Sequence, residues 1–401
     1  MDAVSSSARA GAQVSRSWLT PLVLVSGHAV KHMFSASFYV LLPEITTALH
    51  LSNTAVGIMA TARSSVGSIT NLPAGFLADR FASHGGPVLG LSMATLGVFH
   101  FLMGTLDGYW PLLLASTVAG AATSFWHPAA ISALSRQFPE RRGFALSLHG
   151  SGGSIGEATG PIITGALLLI LSWQGVLQAS LLPALATAIA VWVLLRSLRR
   201  TSAGSLTLGH YLRALRLLVG NKPLLVILLV TAGYSATQGA VSTFLPIYLR
   251  LELGHSSIET ASFLSAAQVA GIVSQPFMGL LSDRFGRRAV LGPSLVALAA
   301  GILSIALVPP GLPLVIAVVL MGAFQFPLMA LFLASAMDVV AVEVQGTTTS
   351  LVFGSSFLFS SVAPGIAGVL ADAFGVRVVF GYAAGMALAS AGVLAAGRRM
   401  R

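Results

Sequence analysis

The sequence predicts an all-α membrane protein in which twelve transmembrane helices form two pseudo-symmetric bundles of six. Of its 401 residues, 55% are hydrophobic and only 8% are charged, whereas soluble domains carry about 25% charged residues. Apolar stretches of roughly 20 residues, the length that crosses about 30 Å of hydrocarbon, recur along almost the whole chain. The second half of the sequence also repeats the first. So few charges cannot cover a water-soluble surface, so we expect the chain to lie in a bilayer.

The apolar stretches define the spans in order. Closed barrels would show alternating segments of about ten residues, so helices are the expected way to satisfy the backbone in lipid. Residues 1–17 are polar and mildly basic, lack an A-x-A cleavage pattern, and are expected to remain as a cytoplasmic tail, with 397–401 as the second tail. We place the spans at 18–42, 54–77, 87–106, 110–134, 144–170, 173–195, 223–249, 258–281, 289–308, 312–336, 346–370 and 376–396.

The basic residues predict the orientation. Twelve spans put both termini on one side, and all but four of the 22 Lys and Arg residues lie in the tails and loops of that side. Arg250 and Arg377 lie on the other side, and Lys31 and Arg63 lie inside spans. The positive-inside rule therefore predicts a multi-pass protein of the inner (cytoplasmic) membrane with both termini in the cytoplasm. The net charge of +10 then indicates lipid headgroups as neighbours, and no nucleic acid is expected as a partner.

A basic linker at 196–222 separates a first half, 18–195, from a second half, 223–396. Parallel repeats of six spans imply a substrate site between the halves, near the middle of the bilayer. Residues that recur at a spacing of 203 support the repeat: Pro43 with Pro246, Gly143 with Gly346, and Pro161 with Pro364.

The loops after the second and eighth spans also repeat, Gly75–Phe81 matching Gly279–Phe285. They resemble the loop signature of the major facilitator superfamily, and the resemblance covers nearly the whole chain. It implies the major facilitator fold, transport of a small molecule by alternating access, and a gate on the cytoplasmic side. In that gate the aspartate accepts hydrogen bonds at a helix N-terminus and the arginine pairs with carboxylates. The matching residues here are Asp79, Arg80, Asp283 and Arg284.

Glycines recur at every fourth position of the fifth span. The run Gly152, Gly156, Gly160-Pro161 and Gly165 resembles the antiporter motif of the superfamily. Such a flat helix face lets a neighbouring helix approach closely and rock, and the proline permits a bend. We therefore add Gly156, Gly160 and Pro161 to the gate. The alternative is tight packing that says nothing about the direction of transport.

Two further stretches resemble the fosmidomycin-resistance-like branch of drug/proton antiporters. They are Phe125-Trp126-His127-Pro128 in the fourth span and Ser26-Gly27-His28 in the first. Together with the glycine run, this resemblance favours export coupled to protons.

Ionisable side chains inside the spans mark the predicted site, because each costs several kcal/mol in lipid unless it faces a partner or a cavity. Glu157 is the only acidic residue well inside a span, so it needs a cation on another helix: Lys31, Arg63 or a histidine. We predict proton coupling at Glu157 together with His28, His32 and His149. A purely structural buried ion pair is the alternative for Glu157.

Cations outnumber that single carboxylate. Lys31 and Arg63 are predicted to hold an anionic or zwitterionic substrate, although either could instead neutralise Glu157 or extend along its span towards the surface. The substrate-binding set is completed by His28, His32, His127, Tyr234, Gln238 and Gln325, and the two amides could equally be packing contacts.

His28 and His32 have the i, i+4 spacing of zinc-binding helices, but Lys31 between them repels a cation, so no metal and no cofactor is expected. The chain has no cysteine, and it shows neither a nucleophile–base arrangement nor a P-loop, so no enzyme is expected either. We expect a monomer that exports a small anionic or amphiphilic organic compound by proton-coupled alternating access. The alternatives are uptake of an organic anion by proton symport and a membrane sensor that does not transport.

Overall fold

The computed structural model describes residues 2–80, 85–138, 141–195, 220–340 and 345–397. These residues are helical nearly throughout, as the apolar stretches of the sequence predict. A π-helical turn, Tyr248–Glu252, continues the helix that ends at Ile247. The helices are α1 (Asp2–Ala48), α2 (Asn53–Arg80), α3 (Gly85–Met103), α4 (Tyr109–Ser124), α5 (Trp126–Gln137), α6 (Arg142–Leu167), α7 (Trp173–Ala179), α8 (Leu181–Leu195), α9 (Lys222–Ile247), α10 (Ser257–Phe285), α11 (Arg287–Leu307), α12 (Leu312–Met337), α13 (Gln345–Phe374) and α14 (Arg377–Ala396).

Fourteen helices make twelve spans because two spans are broken. The fourth span breaks at Phe125, between α4 and α5, and the sixth breaks at Ser180, between α7 and α8. Each break is followed by a proline, Pro128 or Pro183, in the first turn of the next helix. A proline lacks the N–H that would bond back to the preceding turn, so it is tolerated where a new helix begins.

The first helix begins earlier than the sequence analysis placed it. Residues 2–17, expected as a tail, continue α1 back to Asp2. They are rich in alanine and serine and contain no proline, and nothing in the backbone marks where the lipid boundary falls. Residues 196–219 of the basic linker and residues 398–401 of the second tail lie outside the described residues.

Eight of the described spans are long and apolar enough to cross a membrane on composition alone. The four that miss this criterion are α1, α2, α4 with α5, and α6. All four belong to the first half, and they carry every intramembrane histidine, lysine, arginine and carboxylate of the predicted site. Polar side chains lower the mean hydropathy of the helices that build the site.

The halves meet along two pairs of helices, α2 with α13 and α6 with α10. The two contacts are equivalent under the internal repeat, because each joins the fifth span of one half to the second span of the other. A Cβ placed on Gly165 of α6 would lie 2.6 Å from Ala261, near the start of α10. A Cβ on its counterpart Gly368 of α13 would collide with the carbonyl oxygen of Asn53, at the start of α2.

The buried apolar residues close one side of the molecule. We call the side that carries both chain termini the terminal face, and the opposite side, where α1 ends and α2 begins, the distal face. One apolar cluster joins the halves and includes Phe38, Ile45, Val56 and Trp173, all on the distal side of the first half. Towards the terminal face, a separate cluster around Trp126 lies within the first half. In the described residues, the halves are therefore in apolar contact on the distal side.

Candidate functional site

The glycines of α6 bring α1 against it. A Cβ on Gly152 or Gly156 would collide with the carbonyl oxygen of Val25 or Ala29, and one on Gly160 would lie 2.7 Å from that of Met33. The partner of the flat face is therefore α1, which belongs to the same half. This close approach sets the position of the α1 side chains that face α6.

Gly153 lies among these glycines and provides room for the imidazoles of α1. A Cβ there would lie 2.8 Å from the ring of His28 and 3.2 Å from that of His32. The side chains gathered at this interface form the polar cluster, which we define as His28, Lys31, His32, His127, His149 and Glu157.

Glu157 contacts both halves of the protein. Its Oε1 lies 2.7 Å from Nδ1 of His32 on α1, and its Oε2 accepts a hydrogen bond of 3.3 Å from Nε2 of Gln268 on α10. Of the candidate cations, His32 is the partner that the structure gives it. Gln268 was recognised in the sequence only as an intramembrane amide, because nothing in its spacing indicates which helix it faces.

Lys31 is 6% exposed and contacts imidazoles rather than a carboxylate. Its Nζ lies 2.9 Å from Nε2 of His127 and 3.4 Å from Nε2 of His32. An ammonium can only donate, so both Nε2 atoms act as acceptors. The proton of His32 is then on Nδ1, from which it is donated to Glu157. Lys31, His32 and Glu157 thus form one hydrogen-bonded chain.

His28 and His149 stack on each other, with ring centroids 3.9 Å apart and planes 7° apart. Nδ1 of His28 donates to the backbone carbonyl oxygen of His149 at 2.7 Å. Nε2 of His28 and both ring nitrogens of His149 are buried without a hydrogen-bond partner. With His127, these two histidines place one nitrogen each within 4.8 Å of one another, close enough for the set to be considered as metal ligands.

Arg63 lies apart from the polar cluster, towards the distal face. It is 7% exposed, and its guanidinium carbon sits 4.4 Å above the ring centroid of Phe38. Its Nη1 donates to the carbonyl oxygen of Ser116 at 3.4 Å, and its Nη2 is buried without a partner. Gly120 gives it room, since a Cβ there would lie 2.9 Å from the Arg63 side chain.

In the second half, two of the predicted hydrogen-bonding residues, Tyr234 and Gln238, lie on α9, and Gln325 lies on α12. The hydroxyl of Tyr234 donates to the backbone carbonyl oxygen of Gln325 at 2.6 Å, and the ring is almost fully buried. The side-chain oxygen of Gln325 is buried without a partner. Gln238, one turn after Tyr234, is half-buried.

The predicted gate on the terminal face is described only in its second copy. The side chains of Asp79 and Arg80, at the end of α2, lie outside the described residues. Asp283 accepts from Arg287 at 2.6 Å, and Arg287 also donates to Asp338 at 2.9 Å. The arginine that pairs with carboxylates here is thus Arg287, whereas the exposed Arg284 lies over the ring of Phe285.

Arg287 pairs with Asp283 because the chain turns back on itself at Gly286. This residue has a φ of 92° and ends α10. Arg287, the first residue of α11, then reaches Ser282 and Asp283 of the preceding helix.

Pro161, the proline of the predicted gate, is buried inside α6, and the helix continues through it without a break.

Polar contacts between the halves were missed on the distal face. Arg250 Nε donates to Glu44 Oε1 at 2.8 Å, and the Ser257 hydroxyl donates to the same oxygen at 2.8 Å. Glu44 belongs to α1, and the two donors belong to the second half. A clue was available, because Arg250 is one of only two basic residues that the sequence places on this side.

Asp372 supplies a second contact of this kind. Its two carboxylate oxygens accept from the backbone N–H groups of Asn53 and Thr54, each at 2.8 Å. A carboxylate from α13 thereby caps the N-terminus of α2 in the other half. The sequence predicts an anion at a helix N-terminus for the terminal face, and the structure shows one on the distal face.

Twelve spans in two repeated halves, with a cluster of ionisable groups inside the first half and a carboxylate, Glu157, that also contacts the second, are features of a membrane transporter. The model of the family described as Major Facilitator Superfamily matches residues 24–275 and 227–399, so the chain belongs to that superfamily. This confirms the fold predicted from the sequence.

Individual relatives agree. The chain is 24% identical over 367 residues to the uncharacterised MFS-type transporter YfnC of Bacillus subtilis, covering 89% of this chain and 88% of the relative. It is 21% identical over 369 residues to the fosmidomycin resistance protein of Escherichia coli, covering 88% and 86%. Among solved structures, a bacterial homologue of the human lysosomal transporter Spinster, inward-facing and unoccupied, superposes with a TM-score of 0.82 at 15% identity, covering 96% and 97%. These are transporters, which confirms that the chain is not an enzyme.

Proposed function

We propose that this chain exports a small zwitterionic organic compound in exchange for protons, by alternating access between its halves. In this proposal it lies in the inner membrane as a monomer with both termini in the cytoplasm, so that the distal face is the outer one. The relative named for fosmidomycin resistance supports export, because removing a drug from the cell is one way for a transporter to confer resistance.

The proposal on substrate charge depends on two buried cations. In the described residues, neither Lys31 nor Arg63 makes a salt bridge, and the carboxylate of the polar cluster, Glu157, is already engaged by His32 and Gln268. Burying an unpaired charge is costly, so such groups are retained where a ligand supplies the counter-charge. Arg63, with a free Nη2, suits a carboxylate or phosphate.

Exchange requires that the substrate and the proton compete. The substrate and the proton can compete for Glu157 if the substrate also carries a cationic group. The anionic end of the substrate then lies at Lys31 and Arg63, and its cationic end replaces the proton on Glu157. Since Glu157 also contacts Gln268 of the other half, its protonation state would affect the contact between the halves. We assign the coupling to Glu157 and His32.

A second candidate, symport of an organic anion, is favoured by the same geometry if the substrate has no cationic group. Protonating Glu157 removes the only carboxylate of the polar cluster, and the added positive charge attracts an anion by Coulomb's law. Proton and anion would then bind together rather than compete.

The test measures flux in sealed vesicles under an imposed pH gradient, with substrates selected by thermal shift of the purified protein. Lys31→Ala and Arg63→Ala are expected to weaken substrate binding about tenfold to a hundredfold, because each loses a charge-assisted hydrogen bond of about 1.5–3 kcal/mol. Arg377→Ala is the matched control, since Arg377 is exposed and contacts Tyr248 in its own half. If both variants bind substrate as the parent does, the anion site lies elsewhere.

A further inference from the structure

We propose that His28, His127 and His149 form a binding site for a divalent transition-metal ion of the zinc, cobalt or nickel kind. The three residues come from α1, α5 and α6, so the site exists only in the folded first half. One nitrogen from each ring lies within 4.8 Å of the others. Tetrahedral zinc with bonds of about 2.0–2.1 Å separates its ligand nitrogens by about 3.3 Å. Each imidazole lone pair lies in its ring plane, so the stacked rings of His28 and His149, whose planes are 7° apart, must tilt towards each other for both to bind one ion.

The hydrogen bond of His28 supports this assignment. Its Nδ1 donates to the carbonyl oxygen of His149 at 2.7 Å, which fixes the proton on Nδ1 and leaves a lone pair on Nε2. That Nε2 is buried without a partner. Histidines that bind metals commonly donate their second ring nitrogen to a backbone carbonyl or a carboxylate in this way. His149, only 3% exposed, adds two further unpartnered nitrogens.

The chemistry of the ligand set indicates the class of ion. Three neutral imidazoles suit zinc, nickel, copper and cobalt rather than calcium or magnesium, which prefer oxygen ligands. The chain has no cysteine that could compete for such an ion. A set of three histidines leaves a fourth coordination position for water or for an anion.

The positive charge of Lys31 repels a metal ion, and the contact of Lys31 with His127 provides a second test of the site. Its Nζ contacts Nε2 of His127 at 2.9 Å, so the ammonium occupies the lone pair that a metal would use. Metal binding must therefore displace the ammonium from His127. Removing the Lys31 charge should strengthen metal binding, an effect opposite to that of removing a ligand.

The experiment is a Co²⁺ titration of the purified full-length protein, prepared without a histidine tag and followed by visible absorption, with Zn²⁺ competition. We expect one Co²⁺ per chain. We test His28→Asn, which retains an N–H donor towards the His149 carbonyl, and His149→Asn. Each should weaken Co²⁺ binding at least about tenfold, because mutating even a residue that only hydrogen-bonds to a metal ligand lowers metal affinity about 10–100-fold. Lys31→Met should bind Co²⁺ more tightly than the parent.

The matched control is His50→Asn. His50 is exposed on the distal face at a φ of 49°, a conformation that asparagine accepts readily, so this variant removes a histidine without disturbing the fold. Co²⁺ binding that is the same in His28→Asn and His149→Asn as in His50→Asn overturns the proposal. So does a Lys31→Met protein that binds Co²⁺ no better than the parent. The titration contains no organic anion, so its result is independent of the proposed transport function.

Discussion

At the scale of single residues, Glu157 is the group whose charge matters most. Its two oxygens are held by different halves, Oε1 by His32 and Oε2 by Gln268. Glutamine has nearly the same shape: its oxygen can accept from His32 and its NH2 group can donate to the side-chain oxygen of Gln268 once that amide turns over, but it cannot carry a charge or a titrating proton. The substitution therefore isolates the electrostatic role of this side chain.

Glu157→Gln is expected to abolish uphill transport under a pH gradient, and its effect on binding depends on the substrate. A purely anionic substrate should bind more tightly, since a repulsion of about 2 kcal/mol, estimated for unit charges roughly 8 Å apart at a dielectric constant near 20, disappears. A zwitterion should bind more weakly, because its cationic group loses a partner. Titration calorimetry with each kind of ligand distinguishes these cases. Undiminished uphill transport by the folded variant would remove Glu157 from the coupling.

At the scale of helices, the packing of α1 on α6 places the polar cluster. The glycines of α6 contact backbone atoms of α1 at Val25, Ala29 and Met33, one turn apart. Because this contact is repeated along both helices, it fixes their register, and the register determines that His32 meets Glu157. The glycine run positions His32 against Glu157 as well as permitting close approach.

Gly156→Ala is expected to destabilise the protein by about 1–3 kcal/mol, the usual cost of overpacking, because the new methyl group collides with the Ala29 carbonyl oxygen. It should also slow transport by separating His32 from Glu157. Thermal unfolding in detergent and initial flux rates measure the two effects.

Gly150→Ala is the control on the same helix, where a Cβ meets nothing within 4 Å. It should leave both quantities unchanged or raise stability slightly. Equal behaviour of the two variants would show that the close packing of α1 on α6 is not needed.

At the scale of the whole molecule, the halves are held together at the distal face. An apolar cluster, the Glu44–Arg250 ion pair and the Asp372 cap of α2 all join the halves there. Arg250, an exception to the distribution of basic residues, is balanced by a carboxylate from the other half. Opening the distal face during alternating access must break these contacts.

Asp372→Ala and Arg250→Ala are expected to shift the population towards a state open at the distal face. Loss of a helix cap costs about 0.5–2 kcal/mol, and a partly exposed ion pair contributes about 0.2–1 kcal/mol. The shift is therefore about twofold to thirtyfold for Asp372→Ala and about 1.4-fold to fivefold for Arg250→Ala. Because the chain has no native cysteine, spin labels on Ala48→Cys and Glu252→Cys report the distal separation directly by pulsed electron resonance.

Arg377→Ala is again the control, since it removes a cation from the same face without touching the other half. Unchanged distance distributions in both test variants would mean that the apolar cluster alone closes the distal face.

The sequence by itself determined the number of spans, because hydrocarbon thickness and the cost of unpaired backbone groups leave few alternatives. The repeated residues indicated two halves, and the loop motifs resembled the superfamily. The sequence also identified the ionisable groups inside the spans, since each is too costly to face lipid, but it did not indicate that Arg63 lies apart from the others. Only the tertiary structure decided the partners. His32 meets Glu157 across 125 residues, and Asp372 meets Asn53 across 319. Such pairings depend on the rotation and register of packed helices, which are set by contacts along whole interfaces and not by the spacing of residues within one helix.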